Sequence, residues 1–284
     1  MHVLLTGSDG FTGRYLSAEL ERRGHTVAPL QSDLTDPLAI ESEIVQLNCD
    51  AAVHLAGIAF VDQQDFHPFY EVNQLGTLNL LTSLAKHRSG ARVILAGTAN
   101  IYGPTAGGEI DESTCPNPIN HYAISKLAME QGAKLFSQDL RITVLRLFNY
   151  TGVGQDSKYL VPKIVDHFKR RADFIELGNL EIARDFGDVR SVAEAYCGLL
   201  EVNDGEGVIN VATGVATPLR RLVQIASELT GHQMDIRVNP DFVRSTDIPS
   251  LCGDITRLRS MLPSWQPKSI DQTLEWMLAS SPST

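Results

Sequence analysis

The sequence predicts an α/β protein, a doubly wound parallel sheet followed by a smaller, discontinuous α/β unit. Three observations predict it. Short apolar, β-branched-rich runs alternate with amphipathic stretches through the first half of the chain. A glycine-rich turn joins the first of those runs to the first helix, and the second half has shorter strand-like runs and more loops. Near-continuous apolar strands alternating with helices indicate a parallel sheet covered on both faces.

The strand-like runs of the first half are residues 2–6 (HVLLT), 26–30 (TVAPL), 51–55 (AAVHL), 92–96 (RVILA) and 142–147 (ITVLRL). Between them, residues 11–23 carry Phe11, Tyr15, Leu16 and Leu20 on one helical face, and Gly24 marks the stop. Further helices are expected over 37–47, 68–87 and 122–140. In the second half, helices are expected over 160–171, 192–201, 218–230 and 270–279, with strands over 174–177, 207–211 and 234–238. The expected division is one unit of 1–149 plus about 182–212, and a second of about 150–181 plus 213–284, the chain returning to the first sheet in between.

Composition narrows the function classes. Of 284 residues, 43% are hydrophobic and 20% charged, as in an ordinary globular protein. A net charge of −10 argues against nucleic acid and membrane surfaces as partners, since both are negative. No apolar run approaches the roughly 20 residues that span a bilayer. The N-terminal apolar run stops at Thr6, which suits a first strand rather than a leader, so a cytoplasmic location is expected. Cys49, Cys115, Cys197 and Cys252 form no C-x-x-C and are read as buried free thiols. The eight histidines show no metal-ligand spacing, and no metal is expected.

The turn Thr6-Gly7-Ser8-Asp9-Gly10-Phe11-Thr12-Gly13 follows a strand and opens a helix, the context a dinucleotide fingerprint requires. Gly7 permits the tight turn, Gly10 and the Phe11 amide allow backbone to approach a pyrophosphate, and Gly13 allows close helix–strand packing. Helix N-terminal amides then supply donors to the phosphates. A Rossmann-type sheet with NADP(H) or NAD(H) as cofactor is therefore expected. No acidic residue directly follows Leu30. Asp33, two residues late, stands with Leu34 as the candidate adenosine contact, while Arg14 is placed to meet a 2′-phosphate. The choice between the two cofactors stays open.

Tyr122 and Lys126, four apart in a helical stretch, share one face. A tyrosine of ordinary pKa about 10 exchanges protons poorly near neutrality. A neighbouring ammonium lowers that value, so the pair is expected to act as an acid–base unit.

These motifs, with HLAG at 54–57, VNQLGTLNLL at 72–81, GTANIYG at 97–103, HYAISK at 121–126 and LRLFNYTGVGQ at 145–155, stand in the order found in the extended short-chain dehydrogenase/reductases. The chain resembles that family, which acts on nucleotide-diphosphate sugars, along essentially all its length. The resemblance implies that Leu55, Ala56 and Gly57 border the cofactor and that Thr98 hydrogen-bonds the reacting oxygen beside Tyr122 and Lys126. Dehydratases of the family carry an acidic residue just after that threonine; Ala99 and Asn100 stand here, which argues against dehydration. His121 replaces the proline common before the tyrosine.

The segment Gly178-Asn179-Leu180-Glu181-Ile182-Ala183-Arg184-Asp185-Phe186 is similar to one found in relatives that process GDP-mannose derivatives. It implies a loop, including Asn179, that meets guanine, with Arg184 on the diphosphate, where a guanidinium fork donates two parallel bonds. Asn149 and Arg244 resemble the family's other diphosphate contacts. The implied reaction is reduction of the C4 keto group of a GDP-linked 4-keto-6-deoxy-hexose to GDP-rhamnose or its C4 epimer. An NDP-sugar 4-epimerase with held NAD+ is the rival, and an idle cofactor-sensing relative the rival of another class. A homodimer through the 68–87 and 122–140 helices is the implied assembly.

Overall fold

The computed structural model describes residues 1–59, 65–104, 108–202, 205–242 and 249–281. The first half runs β1 (His2–Thr6), α1 (Phe11–Arg22), β2 (Thr26–Pro29), α2 (Pro37–Gln46), β3 (Ala51–His54), α3 (Thr77–His87), β4 (Arg92–Ala96), β5 (Glu109–Ile110), α4 (His121–Ala133) and β6 (Arg141–Leu147). The second half runs β7 (Asn149–Thr151), α5 (Leu160–Lys169), β8 (Phe174–Leu177), β9 (Ala183–Asp188), α6 (Val189–Glu201), β10 (Gly207–Val211), β11 (Ala216–Pro218), α7 (Leu219–Thr230), β12 (Asp235–Val238), β13 (Ser250–Gly253), α8 (Thr256–Met261) and α9 (Ile270–Ala279).

Six parallel strands form the main sheet in the order β10-β6-β4-β3-β1-β2. Alternation along each strand splits its side chains between two cores. Val3, Leu5 and Val53 pack with Leu16, Leu20, Val192 and Leu199 on the α1/α6 face. Leu4, Ala52, Val93 and Leu95 pack with Ile40, Leu80, Leu84 and Met129 on the α2/α3/α4 face. Local signals set the helix starts. Asp36 accepts from the Leu38 and Ala39 amides ahead of Pro37, Asn120 caps α4 through the Ala123 amide, and Ser269 and Gln272 form a capping box on α9.

The smaller sheet, β11-β9-β13-β5 with β7 against β9, lies beyond the ends of β6 and β10. A third core gathers α5, α7 and α9 around Ile164, Leu222 and Leu274. The expected strand positions hold within a residue or two in the main sheet, but the short strands β5, β7, β9, β11 and β13 were not foreseen. β9 is the instructive case. Its Asp185 is fully buried, its carboxylate accepting from the Thr213 hydroxyl and the Thr213 and Gly214 amides. A polar residue satisfied by a distant loop has no strand signature in sequence. Residues 183–188 thus pair in the small sheet, although the expected division placed them with the first unit. Likewise Leu258 and Trp265, expected in the second unit, pack into the main-sheet core.

Two helix expectations also shift. The 68–87 stretch begins as a π-helical segment, Phe69–Gly76, before α3, and α4 gives way to a 3-10 turn at Lys134–Phe136. Cys49, Cys197 and Cys252 are buried, whereas Cys115 is exposed. No helix among the described residues is long and apolar enough to cross a membrane.

Candidate active site

A cleft of about 510 Å³ runs along the C-terminal ends of β1, β3, β4 and β6, from the glycine turn to Tyr122. Gly7, Gly10, Phe11, Gly13, Leu55, Gly57, Thr98, Tyr122, Lys126 and Asn149 all line it. A groove of about 750 Å³ between α7 and the segment before α9 holds none of these groups, so the chemistry is read from the smaller one.

The glycine turn is shaped for close approach. Gly7 sits at φ +70°, and a Cβ there would stand 2.9 Å from the Ala56 amide nitrogen. A Cβ on Gly13 would run into the carbonyl oxygens of Gly7 and Ser8. α1 begins with no side-chain cap, which leaves its first-turn amides for an anion. The residues thus fit a dinucleotide's diphosphate. Behind them, Thr6 accepts from the Ala56 amide at 3.0 Å and meets His54 Nδ1 at 2.7 Å. Thr77, whose hydroxyl donates to the Asn73 carbonyl, accepts from His54 Nε2 at 2.9 Å. This chain fixes a neutral His54, whose pKa burial pushes down to about 3, with the positive charge of Lys126 adding to the effect.

Asn73, fully buried on the π-helical segment, clamps the turn after β3. Its Oδ1 accepts from the Ile58 amide at 2.8 Å, and its Nδ2 donates to the Ile58 carbonyl and to Ser125. Ser125 in turn donates to the Tyr122 carbonyl. Gly57 lies in this corner, where a Cβ would meet Asn73 Oδ1 at 2.8 Å and Lys126 Nζ at 3.3 Å.

Tyr122 is 8% exposed. Burial pushes its hydroxyl up to about 12, and a hydrogen bond with the Thr98 hydroxyl acts the other way. Thr98 also caps the 3-10 turn Ala99–Tyr102 by accepting from the Asn100 amide. Lys126 donates to the Ala96 carbonyl at 2.9 Å, and burial pushes its pKa down to about 8 while Glu130 pulls it back up. The expected lowering of Tyr122 by Lys126 is not what this arrangement shows. The ammonium is engaged at the end of β4, and desolvation dominates the phenol. Tyr122 is a neutral phenol near pH 7.

Other expectations separate at this point. Asp33 is exposed and its carboxylate is occupied by the Thr35 amide and hydroxyl; Leu34 is buried, its carbonyl accepting from Asn79. Neither lines the cleft. Ala56 contributes its amide to Thr6 rather than a wall. Arg14 does line it, tied to the Asp9 and Gly154 carbonyls. Asn179, accepting from the Glu181 amide, and Arg184, donating to the Ala183 carbonyl, lie outside the cleft lining. Arg244 falls outside the described residues. His121 is exposed, bonded to Tyr70 and stacked on Phe66, away from the cleft.

Sequence reasoning missed three tyrosines in the wall. Tyr150 bonds Thr12 at 2.8 Å and stacks on Phe11, Tyr159 also lines the cleft, and Tyr196 of α6 is fully buried, its hydroxyl without a partner among the described residues. Asp156 is the single carboxylate among the described lining residues, and it is paired with Lys158.

The sequence model of the NAD dependent epimerase/dehydratase family matches residues 3–212. The chain belongs to that family. It is an NAD(P)-dependent oxidoreductase of the extended short-chain type. Over 269 residues it is 37% identical to GDP-6-deoxy-D-talose 4-dehydrogenase of Aggregatibacter actinomycetemcomitans, covering 92% of this chain and 91% of that one. Over 294 residues it is 30% identical to GDP-6-deoxy-D-mannose reductase of Pseudomonas aeruginosa, covering 98% and 96%. The structure of Pseudomonas aeruginosa RMD complexed with NADPH superimposes with a TM-score of 0.89 at 29% identity, covering 98% of this chain and 97% of that one. The chain thus stands among enzymes that include GDP-deoxysugar reductases and dehydrogenases.

Proposed function

We propose that this protein reduces the C4 keto group of GDP-4-keto-6-deoxy-D-mannose, using NADPH or NADH. The observation that carries the reading is the cleft floor. A buried neutral phenol, Tyr122, is hydrogen-bonded to Thr98, and Ala99 and Asn100 stand where elimination of water would need a carboxylate. The reduced nicotinamide, when bound, supplies the hydride. Tyr122 gives its phenolic proton to the oxygen that gains negative charge, Thr98 orients that oxygen, and Lys126 holds the cofactor's ribose. Asn149 at the cleft edge, with Asn179, Arg184 and Arg244, is assigned to the GDP moiety on family resemblance. Leu55, Gly57 and the glycine turn are assigned to the cofactor, with Ala56, Asp33 and Leu34 at its margins.

The two GDP-sugar relatives support the substrate. 6-Deoxy-talose and 6-deoxy-mannose differ only in configuration at C4, so both share the same 4-keto sugar as their oxidised partner. The higher identity to the talose enzyme, 37% against 30%, favours GDP-6-deoxy-D-talose as product. The test is stoichiometric oxidation of added NADPH by GDP-4-keto-6-deoxy-D-mannose, with the C4 configuration read by proton NMR. A 4-epimerase would instead carry bound nucleotide through purification and turn over without added cofactor. Tighter binding of UDP or dTDP than of GDP would overturn the nucleotide assignment. The exposed Leu75, Ile124 and Leu135, on the helical stretches flanking Asn73 and Lys126, support a homodimer through that face.

A further inference from the structure

Beneath Lys126 lies a buried charged network that the proposed mechanism does not use. Glu130 stands one turn after Lys126 on α4 and is 1% exposed. Arg146 reaches it from β6, the strand beside β4, with Nη2 donating to Oε2 at 3.0 Å and Nε facing both carboxylate oxygens at 3.3–3.4 Å. The guanidinium is held from its far side. Nη1 donates to the Tyr102 hydroxyl at 3.0 Å and to the Glu112 carbonyl at 3.2 Å, and the Tyr102 ring lies 4.9 Å away. The Tyr102 hydroxyl in turn donates to Asn210 Oδ1 of β10 at 2.7 Å. The carboxylate also has room made for it, because a Cβ on Gly97 would stand 3.0 Å from Glu130 Oε1.

The charges do not balance pairwise. Of two buried cations, Arg146 pairs directly with the buried Glu130, and Lys126 stands one helical turn from that carboxylate. We propose that Glu130 is a positioning residue for Lys126: clamped from β6 by Arg146, its carboxylate is the counter-ion that holds the Lys126 ammonium at the end of β4. Among the described residues, the other groups facing that ammonium give it no negative charge. The Ala96 carbonyl accepts from it, Asn73 is a neutral amide, and Tyr122 and His54 are neutral at pH 7. Without Glu130 the ammonium would have burial against it and only a carbonyl in its favour.

The consequence lies in cofactor binding. An opposite charge close by shifts a pKa by about 1–3 units, and Lys126 titrates at about 8 with Glu130 present. If Lys126 holds the cofactor as a cation, NADPH affinity in the wild type falls through a midpoint near pH 8. In Glu130→Gln, which keeps an acceptor for Arg146 but loses the charge, that midpoint moves down by about one unit. Glu130→Asp, which restores the charge, returns it toward the wild-type value.

This inference rests on the role given to Lys126 above, but NADPH binding measured by fluorescence against pH tests it without any sugar. Loss of thermal stability in Glu130→Gln with an unmoved binding midpoint would show a clamp of purely structural value and overturn the proposal. An upward shift would overturn it as well. Should Glu130→Gln not fold, Arg146→Lys gives the second arm, because it keeps Glu130 charged and is expected to lose stability while retaining the wild-type midpoint. Absence of turnover with the GDP-keto sugar would sink the proposed reaction and leave the binding midpoint, and so the Glu130 assignment, untouched.

Discussion

Acid should weaken the cofactor cleft through His54. The imidazole is buried between Thr6 and Thr77, with Nδ1 accepting and Nε2 donating, so a second proton on the ring removes the acceptor that holds the Thr6 hydroxyl. Folded, it titrates at about 3; unfolded, at about 6.5. Between those values the unfolded chain binds the extra proton and the folded chain does not. Stability therefore rises with pH across this window and is lost as pH falls through it. The slope is about 1.4 kcal/mol per pH unit, which gives roughly 2 kcal/mol between pH 6.5 and 5 and at most about 5 kcal/mol by pH 3.

Comparison with a His54 variant separates the histidine from the buried Glu130 and Asp185, whose carboxyl groups burial pushes up. Glu19, whose Arg22 and Arg23 partners hold its carboxyl down at about 2, adds its own acid lability only below about pH 4.5. Urea unfolding at pH 7, 6 and 5, for wild type and His54→Gln, is the assay. The variant starts from lower stability, having lost a fitted ring, but it should shed about 2 kcal/mol less between pH 6.5 and 5. Equal pH slopes for the two proteins would refute the assignment of a neutral, proton-refusing His54.

Other outcomes follow from the same contacts. Tyr122→Phe removes the proton donor and leaves the walls intact, so turnover should fall by about 10²–10⁴-fold while NADPH affinity, read by fluorescence titration, stays within a factor of about two. Tyr196→Phe deletes a buried hydroxyl with no partner among the described residues; since such a group costs about 1–3 kcal/mol, the variant should melt higher by calorimetry, and a lower Tm would mean that the hydroxyl is bonded in solution. Leu135→Glu places a charge on an 83% exposed leucine beside α4; sedimentation should show weakened self-association, and an unchanged dimer would move the interface elsewhere.

Much of the main sheet was legible because its strands are buried on both faces and read as unbroken apolar runs, β1 and β4 most clearly. The glycine turn was legible because backbone approach leaves no alternative to glycine at Gly7 and Gly13. What stayed hidden depends on partners far away in sequence. Asn73 reads as one polar residue in a helix until the Ile58 backbone and Ser125 arrive against it. Arg146 reads as a break in an apolar strand, and only the approach of Glu130 and Tyr102 gives it a reason. The spacing Tyr122-x-x-x-Lys126 located both side chains correctly. One turn of helix fixes a shared face but not where the ammonium's hydrogen bond goes.

That relation bears on the direction of the reaction. A phenol pushed up to about 12 is a proton source at neutral pH and a poor base. Reaching the phenolate at pH 7 would cost roughly 7 kcal/mol, the five-unit gap at about 1.4 kcal/mol each. Proton donation to a developing alkoxide needs no such expense, since Tyr122 is already in the required form and Thr98 is already bonded to it. Oxidation of an alcohol in the same cleft would need positive charge brought closer to the phenol. In this arrangement the Lys126 ammonium bonds the Ala96 carbonyl. The neutral phenol bonded to Thr98 thus supports the proposed reductive direction.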